Sequence, residues 1–223
     1  MTLKTVVERG FERSPSPALA RELRDQRAQL VRTLTTIMCS RSHQEAIAER
    51  SYWHPNGFAK FVLDSKPRAG EVRLHVWPQH PHDEDIHGHA WSYESIVLVG
   101  ELAEIAYREA EPNEGQAMWR HWYKRVGRRQ FAFGGSSLVR LRAVGGPQLH
   151  AVGDRSGGSY DHIHRFHASK TPAATLVCVG PLLTPSSTVY RLTAEPPPIT
   201  TPRPTTSEDV RQWIGHVAQA VAT

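Results

Sequence analysis

Two groups of histidines, each leading into an apolar strand-like run, constrain the fold of this chain more than any other feature. The first group contains His87 and His89, and side chains two residues apart project from the same face of an extended strand. The second group, about seventy residues later, contains His162, His164 and His167 and leads into the run 173–179. If the groups meet, the fold must bring strands that are distant in sequence together.

The two groups predict a metal site, although a His-x-His pair also arises by accident in a chain with 13 histidines. Ten of the 13 lie between His75 and His167, which favours a shared role. The alternative is that the pair is solvated or satisfied within a core. His80 and His82 lie in a proline-interrupted loop, and we expect them on the surface.

Short strand-like runs with frequent turn signals begin near Phe58 and predict a β-sandwich or barrel rather than a parallel sheet with crossing helices. The segment 71–77 alternates cleanly between apolar and other residues. This alternation places Arg73, His75 and Trp77 on one face of a strand and three apolar side chains on the other.

The barrel region, 55–194, lies between two segments of different composition. We expect residues 1–54 to form an N-terminal helical segment, whose leucines recur at helical spacing and predict packing against the barrel. Residues 195–223 begin with a proline-rich connector and end in an amphipathic helix. That helix can dock on the barrel or on a second subunit, so a homodimer remains open.

Charge and composition limit the kinds of partner that we expect. The net charge is +5, but the basic residues are interleaved with 22 acidic ones, so we expect no nucleic-acid partner. Residues 1–11 contain no continuous apolar run and no eighteen consecutive apolar residues occur, so we expect neither secretion nor membrane association. Cys39 and Cys178 are the two cysteines, which predicts reduced thiols and a cytoplasmic location.

The first histidine group resembles the first motif of the cupin superfamily. That motif is His-x-His, a glutamate three or four residues later and a glycine about six residues beyond, and His87, His89, Glu94 and Gly100 fit it to within one residue. The resemblance implies a mainly β fold, a cupin (double-stranded β-helix or jelly-roll) barrel with N-terminal helices and a C-terminal helix. It also implies a carboxylate, Glu94, as metal ligand or base.

Within the cupins the chain is most similar to the thiol dioxygenase (cysteine dioxygenase-like) family. A tryptophan, Trp77, ends the strand before His-x-His, and the third ligand of that family opens a His-Arg dipeptide, here His164-Arg165. The resemblance therefore implies His164 as third ligand, with His162 as the alternative two residues away on the same face. Counting back from Trp77, the cation that binds the substrate carboxylate in that family matches Lys60.

The chain departs from that family at the residues that assist thiol oxidation. Glu94 stands where animal thiol dioxygenases have the cysteine that is crosslinked to a tyrosine. Val177 and Val179 stand where the family has a histidine and a tyrosine. The resemblance thus implies a related oxygenase with a different substrate.

Three neutral imidazoles leave a divalent metal with open positions for a small-molecule substrate and O2, as in non-haem Fe(II) dioxygenases. We therefore expect an oxidoreductase that uses Fe(II) and acts on a small, carboxylate-bearing substrate that resembles an amino acid or a thiol. Zn, Ni or Mn in the same site would favour isomerase, lyase or hydrolase chemistry, and a binding protein without turnover is the third alternative. The substrate-side candidates are Lys60, Arg73, His75, Trp77, Tyr93 and Arg140.

Overall fold

The computed structural model describes residues 17–66, 70–79, 85–127, 130–198 and 202–223. His80 and His82, expected on the surface, lie outside the described residues. The helices are α1 (Pro17–Met38), α2 (Arg41–Arg50) and α3 (Ser207–Ala222). The strands are β1 (Tyr52–Trp53), β2 (Ala59–Lys66), β3 (Gly70–Trp77), β4 (Ile86–Gly88), β5 (Tyr93–Ala110), β6 (Gln116–Gly127), β7 (Gln130–Ala143), β8 (Gln148–Ala151), β9 (Arg155–Gly158), β10 (Ile163–Val179), β11 (Ser186–Arg191) and β12 (Arg203–Pro204).

The strands form one antiparallel sheet that closes on itself. Its order is β12-β1-β2-β3-β10-β4-β11-β6-β7-β5-β8, β9 pairs with β5, and a further ladder joins β10 to β5. The long strand β10 therefore contacts β3, β4 and β5, three consecutive strands that lie far before it in the sequence. The expected fold class, a mainly β jelly-roll barrel with flanking helices, is confirmed. Among the described residues, no helix is long and apolar enough to cross a membrane.

Strands β2 and β3 separate two environments because their side chains alternate. Leu74 and Val76 of β3 pack into a core that also contains apolar side chains of all three helices. Arg73, His75 and Trp77 point the other way and line a cavity inside the barrel. The predicted alternation of this strand is confirmed.

The helices cover the outer face of these strands. Leu30 and Leu34 of α1 and Ile214 and Val217 of α3 are fully buried in the same core. Thr206 begins α3 with a capping box, in which the Thr206 hydroxyl accepts from the Asp209 N–H while the Asp209 carboxylate accepts from the Thr206 N–H. The apolar face of α3 therefore docks on its own chain.

In strand β5, alternate residues face the barrel interior, and the alternation changes phase at Gly100. Before it, Tyr93 and Ser95 line the interior cavity, whereas after it Leu102 does so and Glu104 contacts interior histidines. Gly100 has φ +73°, and a Cβ there would lie 2.5 Å from the Lys170 carbonyl oxygen of the neighbouring strand. A side chain cannot be accommodated without moving β10, so this glycine enforces the shift of phase.

We predict that Gly100→Ala destabilises the protein by about 3 kcal/mol. The alanine would have to adopt a positive φ, and its Cβ would also clash with the backbone of β10. Chemical denaturation measures the change. Gly146→Ala is the matched control, because its Cβ would meet no atom within 4 Å. Equal stability of both variants would show that the phase shift does not need a glycine.

Candidate metal centre

His87, His89 and His164 converge inside the barrel, although 75 residues separate the last two. One ring nitrogen from each lies within 4.8 Å of the others. The Nε2 atoms of His89 and His164 are 3.0 Å apart, and the ring centroids of His87 lie 4.8 Å from those of both other histidines. We call these three residues the imidazole centre.

The second ring nitrogens of two of these histidines are held by acceptors. His87 Nδ1 lies 2.9 Å from the Asp85 carbonyl oxygen, and His164 Nδ1 lies 2.7 Å from Glu104 Oε1. Both acceptors require a proton on Nδ1, which leaves the Nε2 lone pair available. This is how proteins orient a histidine toward a metal ion.

Burial keeps the three imidazoles neutral. Burial and the neighbouring His164 lower the pKa of His87 to about 3. Burial also lowers the pKa of His89 well below its usual value, with His87 and His164 acting in the same direction. For His164, burial lowers the pKa although Glu104 opposes the change. Neutral imidazole is the form that binds metals.

Glu104 is the functional residue that the sequence reasoning missed. Its Oε1 accepts from His162 Nε2 at 3.0 Å and from His164 Nδ1, while its Oε2 accepts from His150 Nε2 at 3.1 Å. Burial alone raises the pKa of this carboxyl, but the three histidine hydrogen bonds outweigh it and hold the pKa well below its usual value. Glu104 is therefore ionised and orients His164.

His162 contacts the outer side of this arrangement. Glu104, His162 and His164 also have ligand atoms within 4.8 Å of one another, so they form a second group with metal-ligand spacing. In that group, however, His164 contributes Nδ1, which Glu104 already binds at hydrogen-bond distance. The Nε2 side of His164, toward His89, is the one free for a metal.

The expectation that Glu94 lies near the metal is wrong. Its side chain is half exposed, and Oε2 accepts from Arg155 Nη2 at 2.9 Å. The cause is strand alternation, because the preceding residue, Tyr93, points inward and its hydroxyl lies 3.0 Å from His164 Nδ1. The carboxylate of this site comes instead from Glu104, beyond the phase shift at Gly100.

The imidazole centre opens onto a cavity of about 430 Å³, which we call the metal cavity. Of the substrate-side candidates, Lys60, Arg73, His75, Trp77 and Tyr93 line it. Lys60 and Arg73 are almost fully buried there. Arg140 is elsewhere, on β7, where Nη1 donates to the Gly115 carbonyl oxygen, and its predicted role is wrong.

A row of rings forms one wall of the metal cavity. The His54 ring stacks on Phe58 at 4.5 Å with an interplanar angle of 12°, and Phe58 contacts His75 and Trp77 at 4.8 and 5.0 Å. Burial lowers the pKa of His54 to about 3, with His87 acting in the same direction, and it lowers that of His75 well below its usual value. This wall is therefore formed by uncharged rings. His54 had not been predicted, since nothing in its local sequence distinguishes it.

The donor set fits a divalent transition metal. Imidazole nitrogens suit Fe, Zn, Ni and Cu, and three of them on one side leave positions open on the cavity side. The Nε2 atoms of His89 and His164, 3.0 Å apart, satisfy each other only if His89 donates, whereas a shared cation satisfies both lone pairs.

No family model and no curated protein matches this chain. Among solved structures, the DMSP lyase DddQ from Ruegeria pomeroyi is 15% identical over 58% of this chain and 50% of its own, with a TM-score of 0.35. The hydroquinone 1,2-dioxygenase PnpCD in complex with Cd2+ and 4-hydroxybenzonitrile is 18% identical over 55% and 74%, with a TM-score of 0.32. The Drosophila melanogaster CENP-C cupin domain is 12% identical over 57% and 72%, with a TM-score of 0.31.

This chain thus spans about half the length of the DMSP lyase chain that it resembles. These identities and TM-scores transfer neither an activity nor a residue role. The roles assigned to this chain rest on its own geometry.

We predict that His164→Ala abolishes stoichiometric metal binding, whereas His162→Ala retains it, because only His164 turns Nε2 toward the imidazole centre. Elemental analysis of both purified variants, loaded with the same divalent metal, measures the difference. Loss of the metal in His162→Ala with retention in His164→Ala would instead favour the group that contains Glu104.

We predict that Glu104→Gln weakens metal affinity by roughly 10–100-fold, since an amide cannot hold three imidazole donors as a carboxylate does. Competition with a chelator measures the affinity. Glu94→Gln, on the same strand but on the outer face, is the matched control and should leave affinity unchanged.

Proposed function

We propose that this protein is a metal-dependent enzyme, a non-haem Fe(II) oxygenase that acts on a small anionic substrate inside the metal cavity. The observation that carries the proposal is the convergence of three neutral imidazoles, two of them with Nδ1 held, on a cavity with room for a ligand. When bound, such a metal supplies open coordination positions for a substrate and O2.

Residues around the metal cavity fix the orientation of the histidines and exclude water. Glu104 fixes the tautomer and the orientation of His164, and the Asp85 carbonyl does so for His87. The stacked His54 and Phe58 rings and Trp77 exclude water from one side. A substrate bound there meets an apolar wall beside the imidazole centre.

Two cations, Lys60 and Arg73, bind the charged group of the substrate. Lys60 Nζ donates to the Tyr52 hydroxyl at 3.0 Å and lies 4.7 Å from the centroid of that ring. Arg73 Nε donates to Glu71 Oε2 at 2.7 Å, and its guanidinium lies 4.9 Å from the centroid of a Trp91 ring. Two buried cations with one carboxylate partner leave positive charge in the wall, which favours an anionic ligand.

A non-oxidative reaction is the second candidate, and Tyr93 is the observation that favours it. Its hydroxyl lies in the metal cavity beside His164. Burial raises the pKa of Tyr93 well above its usual value, and Glu104 raises it further, so the hydroxyl stays protonated. It can donate a hydrogen bond to a substrate oxygen, as an isomerase or lyase with Zn, Ni or Mn can use.

Metal content and O2 consumption of the purified protein decide between these functions. The protein is loaded with Fe(II), Zn, Ni or Mn, and O2 uptake is recorded with a panel of small amino acids, thiols and other carboxylates. Substrate-dependent O2 uptake with Fe(II) supports the oxygenase. Turnover without O2 uptake supports the second candidate. Less than about 0.1 metal per chain with all four ions would overturn both.

We predict that Lys60→Met raises the KM for an anionic substrate by roughly 10–100-fold, the loss expected when a charge-assisted hydrogen bond is removed. Metal content should remain that of the wild type, because Lys60 contacts none of the three histidines. Lys170→Met, at an exposed lysine paired with Glu101, is the matched control. Unaltered kinetics in Lys60→Met would refute the role of Lys60.

A further inference from the structure

An ion pair with two parallel hydrogen bonds lies in the wall of the metal cavity, next to the imidazole centre. Arg191 Nε donates to Asp85 Oδ1 at 3.0 Å, and Arg191 Nη2 donates to Asp85 Oδ2 at 2.6 Å. Both residues line the metal cavity. The backbone carbonyl of Asp85 accepts from His87 Nδ1 at 2.9 Å. Asp85 therefore binds Arg191 with its side chain and His87 with its backbone.

The position of Asp85 in the sheet explains why its backbone needs this support. Pairing of β4 with β11 ends at Ile86, which lies opposite Tyr190. The same register continued by one residue places Asp85 opposite Arg191, but Asp85 itself lies outside the strand. In the part of the chain that the structure describes, the ladder thus stops one residue before the carbonyl that holds His87. The side-chain pair extends the connection between the two strands to that residue.

The geometry of this pair, which we call the Arg191–Asp85 clamp, suits it to hold a backbone segment in place. Two parallel N–H···O bonds fix the carboxylate in the plane of the guanidinium, whereas a single contact leaves both groups free to rotate. The side chains of Arg191 and Asp85 are 36% and 29% exposed. Ion pairs with this exposure contribute little to global stability. The effect of the clamp is therefore expected locally, in the orientation of Asp85.

We propose that Arg191 is a positioning residue for His87 and that it acts through Asp85. By holding the Asp85 carboxylate, Arg191 keeps the carbonyl oxygen of the same residue in line with His87 Nδ1. The proton then stays on Nδ1, which leaves the Nε2 lone pair of His87 available. The use of this lone pair for a metal rests on the proposed function, whereas the hydrogen bond and the tautomer do not.

The clamp also determines which charge His87 meets. Arg191 compensates the carboxylate of Asp85, so the group that binds His87 is a neutral carbonyl. His164, in contrast, is held by the ionised carboxylate of Glu104. The clamp therefore orients a second histidine without an additional uncompensated negative charge beside the imidazole centre.

Arg191→Met removes the clamp, and Arg120→Met is its matched control. Arg120 Nη1 donates to Glu109 Oε1 at 2.8 Å, and the two side chains are 35% and 38% exposed, close to the values for the clamp. Neither Arg120 nor Glu109 belongs to the described residues that line the metal cavity. Both variants thus lose one ion pair of similar exposure, but only Arg191→Met loses the pair that reaches His87.

The first measurement is made on the metal-free protein, so that it does not depend on the proposed function. Long-range 1H–15N correlation spectra of the imidazole rings, assigned with a His87→Gln variant, report which nitrogen of His87 carries the proton. Wild type and Arg120→Met should show the proton on Nδ1. Arg191→Met should show a mixture of Nδ1–H and Nε2–H forms, because the acceptor of Nδ1 is no longer held in place.

Three results of this measurement would overturn the proposal. They are an unchanged Nδ1–H form in Arg191→Met, an Nε2–H form in the wild type, and the same mixture in Arg120→Met. If no divalent metal binds to the wild type, the proposed function fails, whereas the tautomer of His87 still decides the role of Arg191.

The second measurement is metal affinity, determined by competition with a chelator. Arg191→Met should weaken the affinity by about tenfold, the lower end of the effect of partners that lie behind a ligand. Asp85→Asn should have a similar effect. The double variant should lose no more than either single variant, because both substitutions break the same pair. Additive losses would show that Arg191 and Asp85 act separately and would contradict the clamp.

Discussion

The ionised carboxylate of Glu104, held by three histidines, is the interaction on which the centre depends. It joins strand β5 to β8 through His150 and to β10 through His164, so three strands are linked at one buried charge. A buried carboxylate is costly unless hydrogen bonds compensate it, and here both oxygens are engaged. Because the same bond fixes the proton on His164 Nδ1, the fold and the ligand geometry are stabilised together.

The phase shift of β5 and β10 places that carboxylate inside the barrel. Regular alternation from Tyr93 onward would turn residue 104 outward, on the face where Glu94 pairs with Arg155. The positive φ of Gly100 and the register shifts of β10 between Ala168 and Ala174 change the phase in both neighbours at once. The first half of β5 and the second half of β10 can therefore pack against the helices, while the second half of β5 and the first half of β10 bring Glu104 and His164 to the interior.

Features that depend on regular strand alternation could be predicted from the sequence. Features that depend on the irregular backbone at Gly100 could not. The inward face of β3 and the meeting of His87, His89 and His164 followed from period-two spacing and the resemblance to cupins. Glu94 was assigned from motif spacing, which takes no account of the face on which Tyr93 lies. Glu104 was missed because it lies beyond Gly100, the last position of the motif. A glycine within a strand pattern, as at Gly100, is the signal that could have indicated the shift.

Burial has opposite consequences at the two sides of the metal cavity. At the imidazole centre it lowers the pKa of His87 to about 3, so the group loses its charge and keeps a lone pair for a cation. The facing wall instead carries an almost fully buried arginine, Arg73, and the guanidinium group is the side-chain cation that proteins keep charged. Coulomb interactions are strong in such a poorly solvated space. In the proposed function, the charged group of an anionic substrate would be drawn to this wall, and its uncharged part would face the histidines. On that proposal, the protein's charges orient the substrate before any bond to a metal forms.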